Sequence, residues 1–395
     1  MTIKPFLITA LLALAAFSPA QAITFNQALS LAKSNRSLLN AARLQTAQAA
    51  AEAAASSSLT PLSLGIGASL PGGFGPTDQD LSLQQGLDLF GRRSALRSLG
   101  AAKVLEAKAQ EAEAHLVVQT ETITAFIEAA AARDSLTLAK DLTALSRDLV
   151  AAATRRFEEG RTPEVQVSRS KIELERSLLT EKSWTAQHEA SLKRLAAALG
   201  GPEVQAVTGE AVLEAPLSLT QKPELLALRA KIDAAEAEAR VARSSNQPQT
   251  ALSLHRSPWE EDSRFGLRLQ VTWNLHDGGR AKSERQAAEA KKASFEASYK
   301  DALRLAEAED ASLAIEVASG HSEVKTLQGL VNDLRSLEEK TKRGFSEGVG
   351  TMVEVLEAIR ALREVELELI AAKKKVSLLQ AARLRSGGIL LEGMK

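Results

Sequence analysis

The side chains able to do chemistry are few and scattered. Glu354 and Glu357 stand three residues apart, so on a helix they share one face. Thr351 precedes Glu354 by three residues, the spacing of a capping box, in which a threonine hydroxyl and a glutamate carboxylate each accept a backbone N–H at a helix start. A charged pair on a helix otherwise makes a solvated face. The five histidines, at 115, 188, 255, 276 and 321, form neither a His-x-x-x-His nor a His-Glu-x-x-His arrangement, which leaves a metal site within one chain without support. His255 and His276 are expected at opposite ends of one hairpin. Cysteine is absent, which excludes disulfides, thiolate metal sites and a lipid-bearing cysteine. The run Pro71-Gly72-Gly73-Phe74-Gly75-Pro76 lacks the Lys-Ser/Thr of a phosphate loop and reads as a turn. No nucleophile elbow is present, so neither catalytic residues nor a cofactor is expected. Acidic and basic residues number 49 each, so no net field draws nucleic acid or anionic lipid.

The elements that must position the acidic pair come in two copies. "RFEEGRTPEVQV" (156–167) and "GFSEGVGTMVEV" (344–355) both read as a corner between two helices. Gly160 and Gly348 let the chain take positive φ there. Thr162 reads as an N-cap ahead of Pro163 at the first helical position. The interval between the corners also separates Leu87-Asp88-Leu89-Phe90-Gly91-Arg92 from Leu275-His276-Asp277-Gly278-Gly279-Arg280, whereas Pro61 and Pro248 lie one residue closer. A duplicated supersecondary unit explains both observations.

Prolines are absent from 92–156 and from 281–342, where Ala, Leu, Glu, Lys, Arg and Gln dominate. Leu105, Ala109, Ala112, Leu116, Ile123, Phe126, Ala130, Leu138, Leu142, Leu145 and Leu149 form a seam of alternating three and four spacing, which predicts a coiled-coil helix. Such a helix would be roughly 90 to 100 Å long. Each repeat opens with an amphipathic helix, Phe25 to Ser56 and Pro223 to Arg243, followed by two segments of period two. In "FGLRLQVTWNL" the set Phe265, Leu267, Leu269, Val271, Trp273 and Leu275 opposes Gly266, Arg268, Gln270, Thr272 and Asn274. "PLSLGIGASL" alternates likewise, and "LSLQQGLDLF" and "QTALSLHRS" more weakly. Alternation fits a half-buried hairpin of a soluble domain as well as a transmembrane strand. The segment lengths match the ~9 to 11 residues a tilted membrane strand needs, and Arg268 is then expected to face a hydrated lumen. Open strand edges are not tolerated in lipid, so several chains must pool strands, and three would supply about twelve.

The division that follows is a signal peptide over 1–22, from Lys4, the apolar run Phe6 to Phe17 and Ala20-Gln21-Ala22. Repeat 1 then covers 23–199, a linker 200–219, repeat 2 220–386 and a tail 387–395. No later segment is long and apolar enough for a transmembrane helix.

The order of helix, strand, strand, very long helix, corner and helix, twice over, resembles the TolC-like outer membrane factor family. The second corner carries the closer match to the family's motif, Gly348-x-x-Thr351-x-x-Glu354-Val355-Leu356-Glu357-Ala358. The first, Gly160-x-x-Pro163-x-x-Gln166-Val167-Ser168-Arg169-Ser170, departs at the acidic and alanine positions. The resemblance implies a mainly α chain whose four strands join a trimeric twelve-strand β-barrel above a coiled-coil tunnel. It implies a homotrimer in Gram-negative outer-membrane lipid that reaches into the periplasm as the exit duct of a tripartite efflux pump or a type I secretion system, and the lack of cysteine adds the expectation that it is not lipidated. A periplasmic adaptor and an inner-membrane pump are the implied partners. Gly160, Thr162, Pro163, Gly348 and Thr351 become adaptor-docking corners, and Glu354 with Glu357 an acidic ring at the periplasmic aperture. The linker would join a belt around the tunnel. Short length and short outer loops point to the heavy-metal efflux subgroup. Phe74, Phe90, Trp259, Phe265 and Trp273 are candidate interfacial anchors, with packing within the hairpins the alternative for each. The alternative is a periplasmic coiled-coil adaptor or scaffold without channel activity, although no separate Gly-rich β domain of the kind an adaptor carries is evident.

Overall fold

The computed structural model describes residues 22–69, 78–201, 203–211, 213, 221–256, 265–273 and 276–394. The expected signal segment up to residue 21, both outer turns with Phe74 and Trp259, the strand residues Leu70, Asn274 and Leu275, and much of the linker lie outside these residues.

Seven helices and four strands follow one another in the described chain: α1 Phe25–Asn35, α2 Ser37–Ser56, β1 Ser63–Ser69, β2 Asp78–Leu87, α3 Arg92–Glu158, α4 Glu164–Leu199, α5 Pro223–Ser244, β3 Gln249–Arg256, β4 Phe265–Thr272, α6 Arg280–Glu347 and α7 Met352–Ser386. The helices α3 and α6 run unbroken for 67 and 68 residues, about 100 Å each. Good helix formers and the lack of proline permit this length, and packing makes it stable.

Arg36 corrects the expectation of a single first helix. It is extended, with φ −72° and ψ 110°, and divides the helix into α1 and α2. The break has a partner far along the chain. The Arg36 guanidinium donates to the carbonyls of Ala197 and Ala198 at the end of α4 and pairs with Glu121. Terminal carbonyls of a helix have no partner inside it, and a cation among them also suits the helix dipole.

The long helices lie side by side. Nearer the sheet, neighbours run in the order α2, α3, α5, α6; further away α3 packs on α4 and α7, and α7 on α6. Of the expected α3 seam, Ala109, Leu116, Ile123, Phe126, Leu142 and Leu149 are buried, whereas Ala112, Ala130, Leu138 and Leu145 are partly buried. Leu105 is exposed, because the buried stripe beside it runs through Ala102 and Ala109 at heptad spacing.

All four strands are antiparallel in the order β1-β2-β3-β4, so the two duplicated hairpins join through β2 and β3. Leu81 faces Arg256 and Leu87 faces Thr250 at the ends of that pairing.

Segments remote in sequence close around the middle of the helices. Ile23 donates to the Ala206 carbonyl and accepts from the Thr208 N–H. Val204, Val207 and Leu213 share a core with Phe25, Leu29, Phe126, Leu195 and the tail residue Met394. Gln119, fully buried on α3, donates to the Ile389 carbonyl and accepts from the Leu391 N–H, which uses both ends of its amide. Buried amides persist where both donor and acceptor are matched.

Candidate functional site at the corners and the sheet

At the first corner Gly160 has φ +71°. Its N–H donates to Phe157 and the next, of Arg161, to Arg156, which satisfies the last carbonyls of α3. Here Thr162 is not the N-cap. The cap position falls to Pro163, which has extended backbone and makes no side-chain cap, and α4 starts at Glu164. Proline has no N–H to lose at this boundary. The Thr162 hydroxyl instead donates to the Gln166 side-chain oxygen at 2.9 Å.

At the second corner Gly348 has φ +89°. The N–H groups of both Val349 and Gly350 reach the Gly344 carbonyl at 3.0 Å. Thr351 is the N-cap of α7, and the capping box is complete: the Thr351 N–H donates to Glu354 Oε2 at 3.0 Å and the Glu354 N–H to Thr351 Oγ1 at 3.3 Å. Glu354 and Glu357 are both exposed, while Met352, Val355, Leu356, Ala358 and Ile359 turn inward. The two carboxylates therefore occupy the outer side of the first turns of α7, where negative charge also suits the helix dipole.

The two corners share one core. Leu142, Leu149, Ala153 and Val167 from the first hairpin pack with Phe345, Met352, Val355, Leu356 and Ile359 from the second. The Arg156 guanidinium lies 4.2 Å from the centre of the Phe345 ring, a cation–π contact that crosses between them. Deeper along the helices, Glu173 of α4 is 3 % exposed and accepts from Arg360 of α7 at 2.6 Å, with Arg363 at 3.6 Å. Sequence reasoning missed this link. Its one signal is an acid among the buried positions Val167, Ser170 and Ser177 of a helix stripe.

Register sorts the sheet into two faces. Leu64, Leu83, Leu254 and Leu267 lie in one row across the four strands, with Ile66 and Leu81 beside them. The edge residues of this face are bare: Ile66 is 75 % and Leu267 70 % exposed. The opposite face carries the row Ser63, Gln84, Ser253 and Arg268. Arg268 thus belongs to the polar face. His255 is there too, next to Gly266, while His276 follows β4 at the other end of the hairpin. Among the described residues no group of three or more His, Cys, Asp or Glu could hold a metal ion, and no helix is long and apolar enough to cross a membrane.

Where strands pass into long helices, glycines at positive φ again recur, Gly91 at +81° and Gly279 at +85°. A carboxylate serves each helix start. Asp88 accepts from the Arg92 and Arg93 N–H groups, and Asp277 from Gly279 and Ala281. The N–H of Ala281, then that of Gly279, hold the Asp277 carboxyl below the usual carboxylate range. The sequence alignment of the repeats pairs Asp88 with His276, so the shared role of Asp88 and Asp277 emerges only in three dimensions.

The outer membrane efflux protein family matches residues 28–201 and 215–385 of this chain, which takes in both hairpins, both corners and all four strands. The chain belongs to that family. Among solved structures, the outer membrane protein VceC from Vibrio cholerae is similar at a TM-score of 0.74 and 18 % identity, over 92 % of this chain and 96 % of that one. The open-state MtrE outer membrane channel of Neisseria gonorrhoeae is similar at a TM-score of 0.75 and 14 % identity, over 94 % and 89 %. The fold of this efflux-family member is thus TolC-like, mainly helical with one four-stranded sheet. A curated relative, the nickel-cobalt-cadmium resistance protein NccC of Alcaligenes xylosoxydans xylosoxydans, is 23 % identical over 279 residues. The match takes in 67 % of this chain but only 63 % of that relative's length. Family and fold are those of channel proteins.

Proposed function

We propose that three copies of this chain form an exit duct in the outer membrane of a Gram-negative bacterium. The observation that carries the reading is a four-stranded sheet with one apolar face bare and both edge strands, β1 and β4, open. Such a sheet is unstable in lipid unless its edges are paired, and three copies of four strands close a barrel of about twelve. The helical edges agree. Val165, Ile172 and Leu179 on α4 and Leu305, Ile315, Leu330 and Leu337 on α6 expose apolar side chains along outer helices of the array. A neighbouring copy would cover them.

The apolar face then meets lipid and the polar face, with Arg268, lines the lumen. The corners reach into the periplasm, where Gly160, Thr162, Pro163, Gly348 and Thr351 shape the surface offered to a periplasmic adaptor fed by an inner-membrane pump. Phe157 and Val349, exposed at these tips, supply the apolar contact such docking uses. Glu354 and Glu357 from three chains ring the aperture and favour cations. A family relative named for nickel, cobalt and cadmium resistance supports divalent metal ions as cargo.

Membrane fractionation and bilayer recording test the reading together. The protein should partition with the outer membrane as a trimer, carry ionic current, and confer tolerance to nickel, cobalt or cadmium that a deletion strain lacks. Recovery as a soluble periplasmic monomer would instead support an adaptor or scaffold role.

A further inference from the structure

A cavity of about 660 Å³ lies at the foot of the sheet, where strands give way to helices. Gln84, Gln249 and Gln270, all polar-face positions of the register, line it together with Arg92 and Arg93 of α3. It therefore opens on the polar side. Asp88 is the one carboxylate in its described lining, and both its oxygens already accept backbone N–H groups. Arg268 stands one step above, the next polar-face position on β4 after Gln270.

None of the three arginines forms an ion pair with a described residue, whereas all five arginines of α6 do. Arg93 donates its Nε to the Ser57 carbonyl, which holds it against the cavity wall. The guanidinium groups of Arg92 and Arg93 outnumber the single carboxylate of the described lining, and with the neighbouring amide donors they suit a multiply charged oxyanion.

We propose that this cavity binds small multivalent anions bearing phosphate or carboxylate groups, held by Arg92, Arg93 and Arg268. Its place in a lumen rests on the duct reading; its donor set does not. A band of this sign beyond an acidic aperture would hold counter-anions and discourage discharged cations from returning.

Calorimetric titration of the detergent-solubilised full chain with tripolyphosphate tests the site without requiring conduction. Saturable binding is expected, weakened about tenfold or more in R92Q/R268Q and largely retained in R92K/R268K. E354Q/E357Q should bind as the unaltered chain does. Absent binding, or equal binding by R92Q/R268Q, would overturn the proposal, with unchanged heat-unfolding midpoints certifying that the variants fold. Bilayer current through the same preparation judges the duct separately. A conducting pore that binds no tripolyphosphate removes only the anion site, and binding by a non-conducting protein upholds the site while removing the duct.

Discussion

The two corners descend from one pattern yet are secured differently. At the first, Pro163 starts α4 by its fixed backbone, without any side-chain cap, and Gln166 stands where the second corner has Glu354. At the second, a threonine and a carboxylate hold the start of α7 by reciprocal hydrogen bonds. What they share is the glycine at positive φ and one common core. A turn can therefore keep its geometry while its cap chemistry, and with it the local charge, is free to change. That freedom lets the first corner carry Gln166 and Arg169 where the second carries Glu354 and Glu357.

The largest effect is expected from Met352→Ala, since Met352 is fully buried in the common core. It should cost about 2 to 5 kcal/mol. Hydrogen exchange should rise at both corners, and a rise confined to the second would break the claim of a shared core. Next come Gly160→Ala and Gly348→Ala, each about 1 to 2 kcal/mol by forcing a side chain into left-handed backbone. Unequal losses in denaturant unfolding would show that the turns are less alike than their φ values suggest. Thr351→Ala should cost about 1 kcal/mol, whereas Thr162→Ala, which removes no cap, should change the unfolding midpoint only marginally. The smallest stability effect belongs to E354Q/E357Q. Glutamine still completes a capping box, so stability should hold within about 0.5 kcal/mol while the cation preference of bilayer current falls. Lost stability with unchanged selectivity would reduce Glu354 to a helix cap.

Much of the fold was legible because the signals are local. Proline-free runs of helix formers mark α3 and α6, and alternation marks β1 and β4. The capping box at Thr351 was legible for the same reason, since it needs only four neighbouring residues. Thr162 was misread because two adjacent residues compete for one cap position, and the choice depends on where the turn places the chain. The break at Arg36 was hidden, as a guanidinium reaching the end of α4 overrides a favourable helical run.

By itself the sequence determined the kinds of element, their duplicated order, the turn glycines and the two faces of the strands, all of which follow from backbone sterics and periodicity over short spans. Tertiary structure alone decided which distant groups meet. Gln119 finds the tail 270 residues away, Glu173 finds Arg360 from the other repeat, and arginines of α3 meet glutamines of β2, β3 and β4 at the foot of one sheet. These pairings depend on how long helices lie side by side and on strand register, and no local spacing encodes either.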